Sequence, residues 1–392
     1  MNEPISRPAT RSGALTVALC GLVAVFEGFD LQSAGVAAPK LVPAFGLLPA
    51  QMGWFFSAST FGLMLGAVIG GALSDRFGRK IALLVSVGLF GLLSFATGFA
   101  QDFQQLLLAR FVTGIGLGGA LPNLLALVAE NMPLARRGGA VGLLYAGMPC
   151  GGVLASLSSL HGDWRVIFFI GGAAPLLILP LVKWKLPDSM ALKLGQAPAG
   201  SGKALLSWVT AGLWASFFLG LLIMNLLLMW LPTLLISHGL SRNDAAWVQV
   251  AFNLCGAIGA FSAGWLADKP RWRSVAVVGV FVAAGVTVAA AAGLPNSLLA
   301  SMLFGGALGG TVMGGQAILY GLAPSCYPAI IRGTGVGAAV SVGRFGSAAG
   351  PLLAGQLVAA GWGPTQVLLV LLPVLAVAGI GTTALSLRPA VD

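Results

Sequence analysis

An all-α membrane protein, with twelve spanning helices in two six-helix pseudo-symmetric halves, is the fold class that three observations predict. The first is composition. Of 392 residues, 57% are apolar, only 8% are charged and 57 are glycine, whereas a soluble domain carries about 25% charge. Many small residues are what close helix packing in lipid requires. The second is a set of apolar runs long enough to cross a bilayer as helices. The third is an internal repeat. A shift of 193 places Pro39 on Pro232, Gly46-Leu47 on Gly239-Leu240, Trp54 on Trp247, and Gly71, Leu73 and Asp75 on Gly264, Leu266 and Asp268. A shift of 195 places Pro133 on Pro328 and Arg137-Gly138 on Arg332-Gly333. Parallel six-helix repeats about an axis along the membrane normal are the architecture of a rocking transporter.

In chain order the runs are 14–37, 52–73, 81–100, 105–129, 138–160 and 164–186, forming an N-terminal half over residues 1–186. A polar linker with Gly and Pro follows at 187–206. The C-terminal half, 207–392, holds 207–236, 246–267, 275–293, 297–322, 332–358 and 364–386. Arg7 and Arg11 precede the first run as in a signal peptide, but that run is too long and too acidic for one, so it is expected to stay as a helix.

The basic residues set the orientation. With the N-terminus inside, sixteen of the 21 Lys and Arg fall on cytoplasmic segments, three (Lys40, Arg165, Arg242) are external, and Arg110 and Arg344 lie inside helices. Both termini are therefore expected in the cytoplasm, and the +10 charge is topological, not a nucleic-acid footprint. Cys20, Cys150, Cys255 and Cys326 form neither a disulfide framework nor a metal pattern. No cofactor is implied.

Within the first run, Glu27-Gly28-Phe29-Asp30 puts two carboxylates about one helical turn apart, hence on one face. An ionised Asp at mid-membrane costs on the order of 3 kcal/mol on insertion scales. The bland account is a pair of structural acids neutralised by a neighbouring helix. The functional one, the default for intramembrane acids, is proton carriage or solute contact. Arg344 lies twelve residues past Arg332, roughly 18 Å into its helix, near the depth of Glu27. Arg110 reaches about the level of Asp30 from the outer face. A guanidinium presents a fork matched to a carboxylate. For Arg110 an ion pair with a helix 1 acid is the expectation; for Arg344 it is a substrate carboxylate. Phe29, Tyr145, Asn225, Trp230, Gln316 and Tyr320 sit around that level as groups able to meet a hydroxylated ring. Each alone is more often packing than contact. Tyr145, Gln316 and Tyr320 lead, because a Tyr or Gln in lipid needs a partner.

The loop after the second run, Gly71-Ala-Leu73-Ser-Asp75-Arg76-Phe-Gly78-Arg79-Lys80, resembles the signature loop of the major facilitator superfamily, with a weakened copy at Gly264-Trp-Leu266-Ala-Asp268-Lys269. Physically it reads as a latch: Asp75 can accept from a neighbouring helix N-terminus, and Arg76 and Arg79 can pair with acids on other helices. Plain positive-inside charge would explain the cations but not the Gly/Asp/Gly spacing. Arg110 with Gly114-Ile-Gly116-Leu-Gly118-Gly119, and Gly147-Met-Pro149-Cys-Gly151-Gly152, are further superfamily-like features. The second resembles a glycine-proline motif associated with antiporters.

Within the superfamily the acid-Gly-x-Asp turn is similar to that of the aromatic acid:proton symporters, with Glu27 in place of the usual Asp. Glu27 to Leu41, Gly315 to Pro324 and Arg332-Gly-Thr334-Gly335-Val-Gly337 resemble the 3-(3-hydroxyphenyl)propionate transporter branch of that family. The resemblance implies a monomeric, proton-coupled importer of aromatic carboxylates in a bacterial inner membrane. It implies proton coupling at Asp30, Glu27 and Arg110 and substrate binding at Arg344. It also implies gating by Asp75, Arg76, Arg79, Glu130, Arg137, Asp268 and Arg332. A drug:proton antiporter is the alternative. A sensor would need a signalling domain that no loop has room for, and an enzyme would need a nucleophile–base set or metal cluster that is not in evidence.

Overall fold

The computed structural model describes residues 11–160, 162–187, 207–328 and 331–387. Beyond Pro187, the 187–206 linker lies outside the described residues, as does the side chain of Arg137.

The helices are α1 (Arg11–Phe45), α2 (Pro49–Phe77), α3 (Arg79–Thr97), α4 (Phe103–Asn131), α5 (Leu134–Ser158), α6 (Trp164–Lys185), α7 (Trp208–Ser237), α8 (Arg242–Ala267), α9 (Arg273–Ala290), α10 (Leu298–Leu322), α11 (Arg332–Ala359), α12 (Pro364–Leu369) and α13 (Leu371–Ser386). The last two follow one another as a single span, which makes twelve. Among the described residues, eleven spans are long and apolar enough to cross a membrane. The exception is α11, where Gly, Ala, Ser and Arg344 dilute the hydropathy over 28 residues. The protein is a multi-pass membrane protein.

Local sequence sets the helix ends. Side chains of Asp102, Ser207, Ser241 and Ser297 accept hydrogen bonds from the backbone N–H three residues on, capping α4, α7, α8 and α10. Gly46 and Gly239, one repeat apart, both have positive φ just after α1 and α7, the backbone state that ends a helix most readily at glycine. α1 runs eight residues past its predicted end at 37, because Pro39 and Pro43 are accommodated inside the helix.

The chain forms two compact units: residues 1–37 with 58–194, and 38–57 with 195–392. In the first, α3 packs on α4 and α6 around a core that includes Leu83, Phe90, Leu117, Leu124 and Leu144. In the second, α8 packs on α10 and α7 on α11, and the 38–57 segment is tied in by Ser57 donating to the Ala348 carbonyl at 2.7 Å.

The repeat holds at the level of single contacts. A Cβ on Gly151 of α5 would lie 2.0 Å from the Val25 carbonyl oxygen of α1, and one on Gly346 of α11 would lie 2.0 Å from that of Phe218 on α7. Likewise Gly114 meets the Ser59 carbonyl and Gly309 that of Phe252, again at 2.0 Å. These partners are related by the offsets 193 and 195 read from the sequence. Helix pairs this close tolerate only glycine at the crossing.

Candidate functional site

In the first unit the acid-bearing turn of α1 is pressed onto α5. A Cβ on Gly28 would sit 2.1 Å from the Met148 carbonyl oxygen. Together with the Gly151 contact, this assigns the glycine-proline stretch of α5 a packing role. The turn is thereby held away from water, with Glu27 1% and Asp30 0% exposed.

Arg110 of α4, also 0% exposed, supplies the counter-charge. One terminal nitrogen donates to both carboxylate oxygens of Asp30 at 3.1 Å, and the other donates to the Asp30 carbonyl at 3.0 Å. The Ser94 hydroxyl of α3 donates to Oδ1 of the same carboxylate. The guanidinium lies over the Phe168 ring of α6, 5.6 Å from its centroid. Four helices thus converge on Asp30. The arginine–acid pair follows from the sequence reading; Ser94 and Phe168 do not, although a serine in the apolar α3 was a signal, since a hydroxyl there needs a partner. Phe29 is 4% exposed and its ring packs at Gly171 of α6, 3.0 Å from where a Cβ would be. Tyr145 is 41% exposed on α5.

The latch loop lies at the α2–α3 junction. Gly78 there has φ 87, which a side-chain-bearing residue adopts only with strain, and this accounts for the glycine between Phe77 and Arg79. Arg79 Nε pairs with Glu130 Oε1 at 2.6 Å, both partly exposed. Asp75 and Arg76 are exposed. Asp75 makes no hydrogen bond or ion pair among the described residues, so the expected acceptance from a helix N-terminus is not seen here.

In the second unit, Arg344 stands on α11 between Gly343 and Gly346, where that helix meets Phe217 and Phe218 of α7. It is half-buried and forms no hydrogen bond, ion pair or ring contact among the described residues. From Lys269 to Val391 the sequence contains no Asp or Glu. Asn225 is half-buried and spends its amide N–H on the Leu221 carbonyl of its own helix. Tyr320 meets Phe217 edge-on at 5.0 Å. Trp230, 1% exposed, donates to the Pro351 carbonyl at 3.0 Å and stacks edge-on against Phe56, so its polar atom is already committed. Gln316, 7% exposed, faces a cavity of about 20 Å³ that it lines with Ser216 and Gly220 of α7. That is room for about one water. Its Nε2 and the Ser216 hydroxyl have no protein partner among the described residues. Asp268 and Arg332 are exposed at the ends of α8 and α11.

The two halves share packing but not chemistry. Through the offsets that relate the glycine contacts, Glu27 and Asp30 correspond to Gly220 and Ile223, Arg110 to Gly305, and Arg344 to Pro149. The acid–arginine pair belongs to the first half alone and the unpaired arginine to the second.

Residues 20–351 match the family model of the Major Facilitator Superfamily. The 3-(3-hydroxy-phenyl)propionate transporter of Escherichia coli is 42% identical over 95% of this chain and 94% of its own. The gallate transporter of Pseudomonas putida is 34% identical over 91% and 88%. The 4-hydroxybenzoate transporter PcaK of Pseudomonas aeruginosa is 33% identical over 93% and 91%. Among solved structures, a bacterial homologue of the human lysosomal transporter Spinster aligns with TM-score 0.79 at 18% identity, covering 97% of this chain and 98% of that one. The D-xylose-proton symporter aligns at 0.75 with 17% identity, covering 95% and 96%.

Proposed function

Because this chain belongs to the major facilitator superfamily, we propose that it is a proton-coupled symporter that imports an aromatic carboxylate by rocking alternating access. It works as a monomer in a bacterial inner membrane with both termini cytoplasmic. The observation that carries this reading is Arg344. An arginine in a spanning helix, without a partner among the described residues of its own unit and with no Asp or Glu side chain in the 123 residues from Lys269 to Val391, is a charge whose desolvation calls for an anion. The relatives' names supply the class: each is named for a carboxylate on, or attached to, a hydroxylated ring. Tyr320, Tyr145 and Asn225 are the candidates for ring and hydroxyl contacts.

Proton coupling falls to the other half. Asp30 with Arg110 and Ser94, and Glu27 one turn away, put two carboxylates in a water-excluded turn, the default place for a proton path in a membrane helix. One proton brings the turn, with two acids and Arg110, to net zero, and an anion seated on the half-buried Arg344 neutralises that cation; both lower the cost of closing the path. Asp75, Arg76, Arg79, Glu130, Arg137, Asp268 and Arg332 bias which side is open. Efflux is less well supported, because the α5 glycines that suggested it are accounted for by packing.

The test is uptake in proteoliposomes. Acidifying the outside should drive accumulation of labelled 3-(3-hydroxyphenyl)propionate, gallate or 4-hydroxybenzoate, and a protonophore should collapse it. Accumulation indifferent to the pH gradient would sink symport.

A further inference from the structure

The α8–α9 loop repeats the latch loop only in part: by the offset of 193, Arg76 and Lys80 become Lys269 and Arg273, whereas Arg79 becomes Trp272. In the first half Arg79 is matched by Glu130; the repeat-related position of Glu130 is Ser325, and no acid follows until Asp392. Lys269, Arg271 and Arg273 fall within five residues and make no ion pair among the described residues.

Their side chains are nevertheless placed. Lys269 Nζ lies 3.3 Å from the centroid of the Trp265 ring, and the Arg271 guanidinium 5.8 Å from that of Trp272. Arg273 Nε donates to the Ala267 carbonyl at 3.2 Å, closing the C-terminus of α8. Trp265 is 57% and Trp272 44% exposed. Outward tryptophans at the ends of membrane helices settle at headgroup level, and cations resting on their faces sit at the same depth. Positive-inside bias explains how many cations there are, but not their aromatic seats; Asp268, the exposed acid beside them, makes no ion pair among the described residues.

We propose that Lys269 and Arg271, seated on Trp265 and Trp272, bind the phosphate of an anionic phospholipid. Arg273 serves the helix end and is not part of the site. Near a surface each such cation adds severalfold to lipid affinity, weakening with salt.

The test uses the purified full chain and native mass spectrometry with phosphatidylglycerol, phosphatidylcholine or inorganic phosphate as probes. Wild type should retain phosphatidylglycerol over phosphatidylcholine. Lys269→Gln with Arg271→Gln should weaken that retention about tenfold, while melting in neutral detergent stays within about 2 °C of wild type. Lys183→Gln with Lys185→Gln, which removes two cations beside the exposed Trp184, should change retention by less than about twofold. An equal loss from both double variants would mean diffuse surface charge and overturn the site. Millimolar inorganic phosphate displacing the lipid at equal phosphorus concentration would make it a free-anion site and overturn the lipid assignment. If the first variant melts early, the more conservative Lys269→Arg with Arg271→Lys must keep wild-type retention for the proposal to stand.

Discussion

Asp30 and Arg110, eighty positions apart in sequence, are both fully buried and joined by three hydrogen bonds of 3.0–3.1 Å. Breaking a buried pair by removing one partner leaves an uncompensated charge and costs about 3–5 kcal/mol. Arg110→Ala should therefore lower the melting temperature well below wild type, and adding Asp30→Asn should recover part of the loss. A double variant as unstable as Arg110→Ala plus Asp30→Asn summed would show that the two do not act as a pair.

Asp30→Asn mimics the protonated carboxyl and keeps an acceptor for Arg110. It should still bind the aromatic acid and exchange it in counterflow, yet fail to concentrate it under an inward pH gradient. Glu27→Gln is run beside it, since proton coupling is proposed for the turn that holds both acids. If both variants kept full gradient-driven accumulation, the turn in α1 would not be the proton site.

Arg344→Ala should abolish the thermal stabilisation that a bound aromatic carboxylate confers. Arg344→Lys should lose at least about tenfold in affinity, because a point charge cannot reproduce the planar fork. The assay is a melting shift across benzoates, cinnamates and phenylpropionates. An unchanged shift in the alanine variant would place the anion elsewhere.

Gln316→Leu tests whether that amide meets substrate. Its side chain faces the small cavity beside Gly220 and Ser216, so affinity should stay within about threefold. Replacing an unpaired buried amide by an apolar group of similar size costs little stability. A loss of affinity matching that of Arg344→Ala would return Gln316 to the binding site.

Packing of α1 on α5 can be read through two glycines of the same helix. Gly28→Ala puts a methyl 2.1 Å from a carbonyl oxygen, whereas a Cβ at Gly21 meets nothing within 4 Å. The first should destabilise by several kcal/mol, as overpacking does at its severe end. The second should be neutral or raise stability by up to about 1 kcal/mol. Thermal melts of both in one detergent decide it.

Composition, hydropathy and the repeat determined twelve spans, their order and, the C-terminal end of α1 aside, their ends within a few residues, because backbone in lipid must satisfy itself within each helix. The same offsets, 193 and 195, relate the glycine crossings that the structure shows in the two halves. Also legible were the identities of the few intramembrane charges, since each is rare and costly there. What only tertiary structure decided was how those charges are partnered. The sequence placed an acid of helix 1 beside Arg110 without saying which, and it is burial against α1 and α3 that selects Asp30, while Arg344 makes no ion pair among the described residues. Ser94, Phe168 and the cavity beside Gln316 were not readable for the same reason. A side chain's hydrogen-bond partners come from helices far along the chain, and residue type and spacing state the need for a partner without saying which helix supplies it.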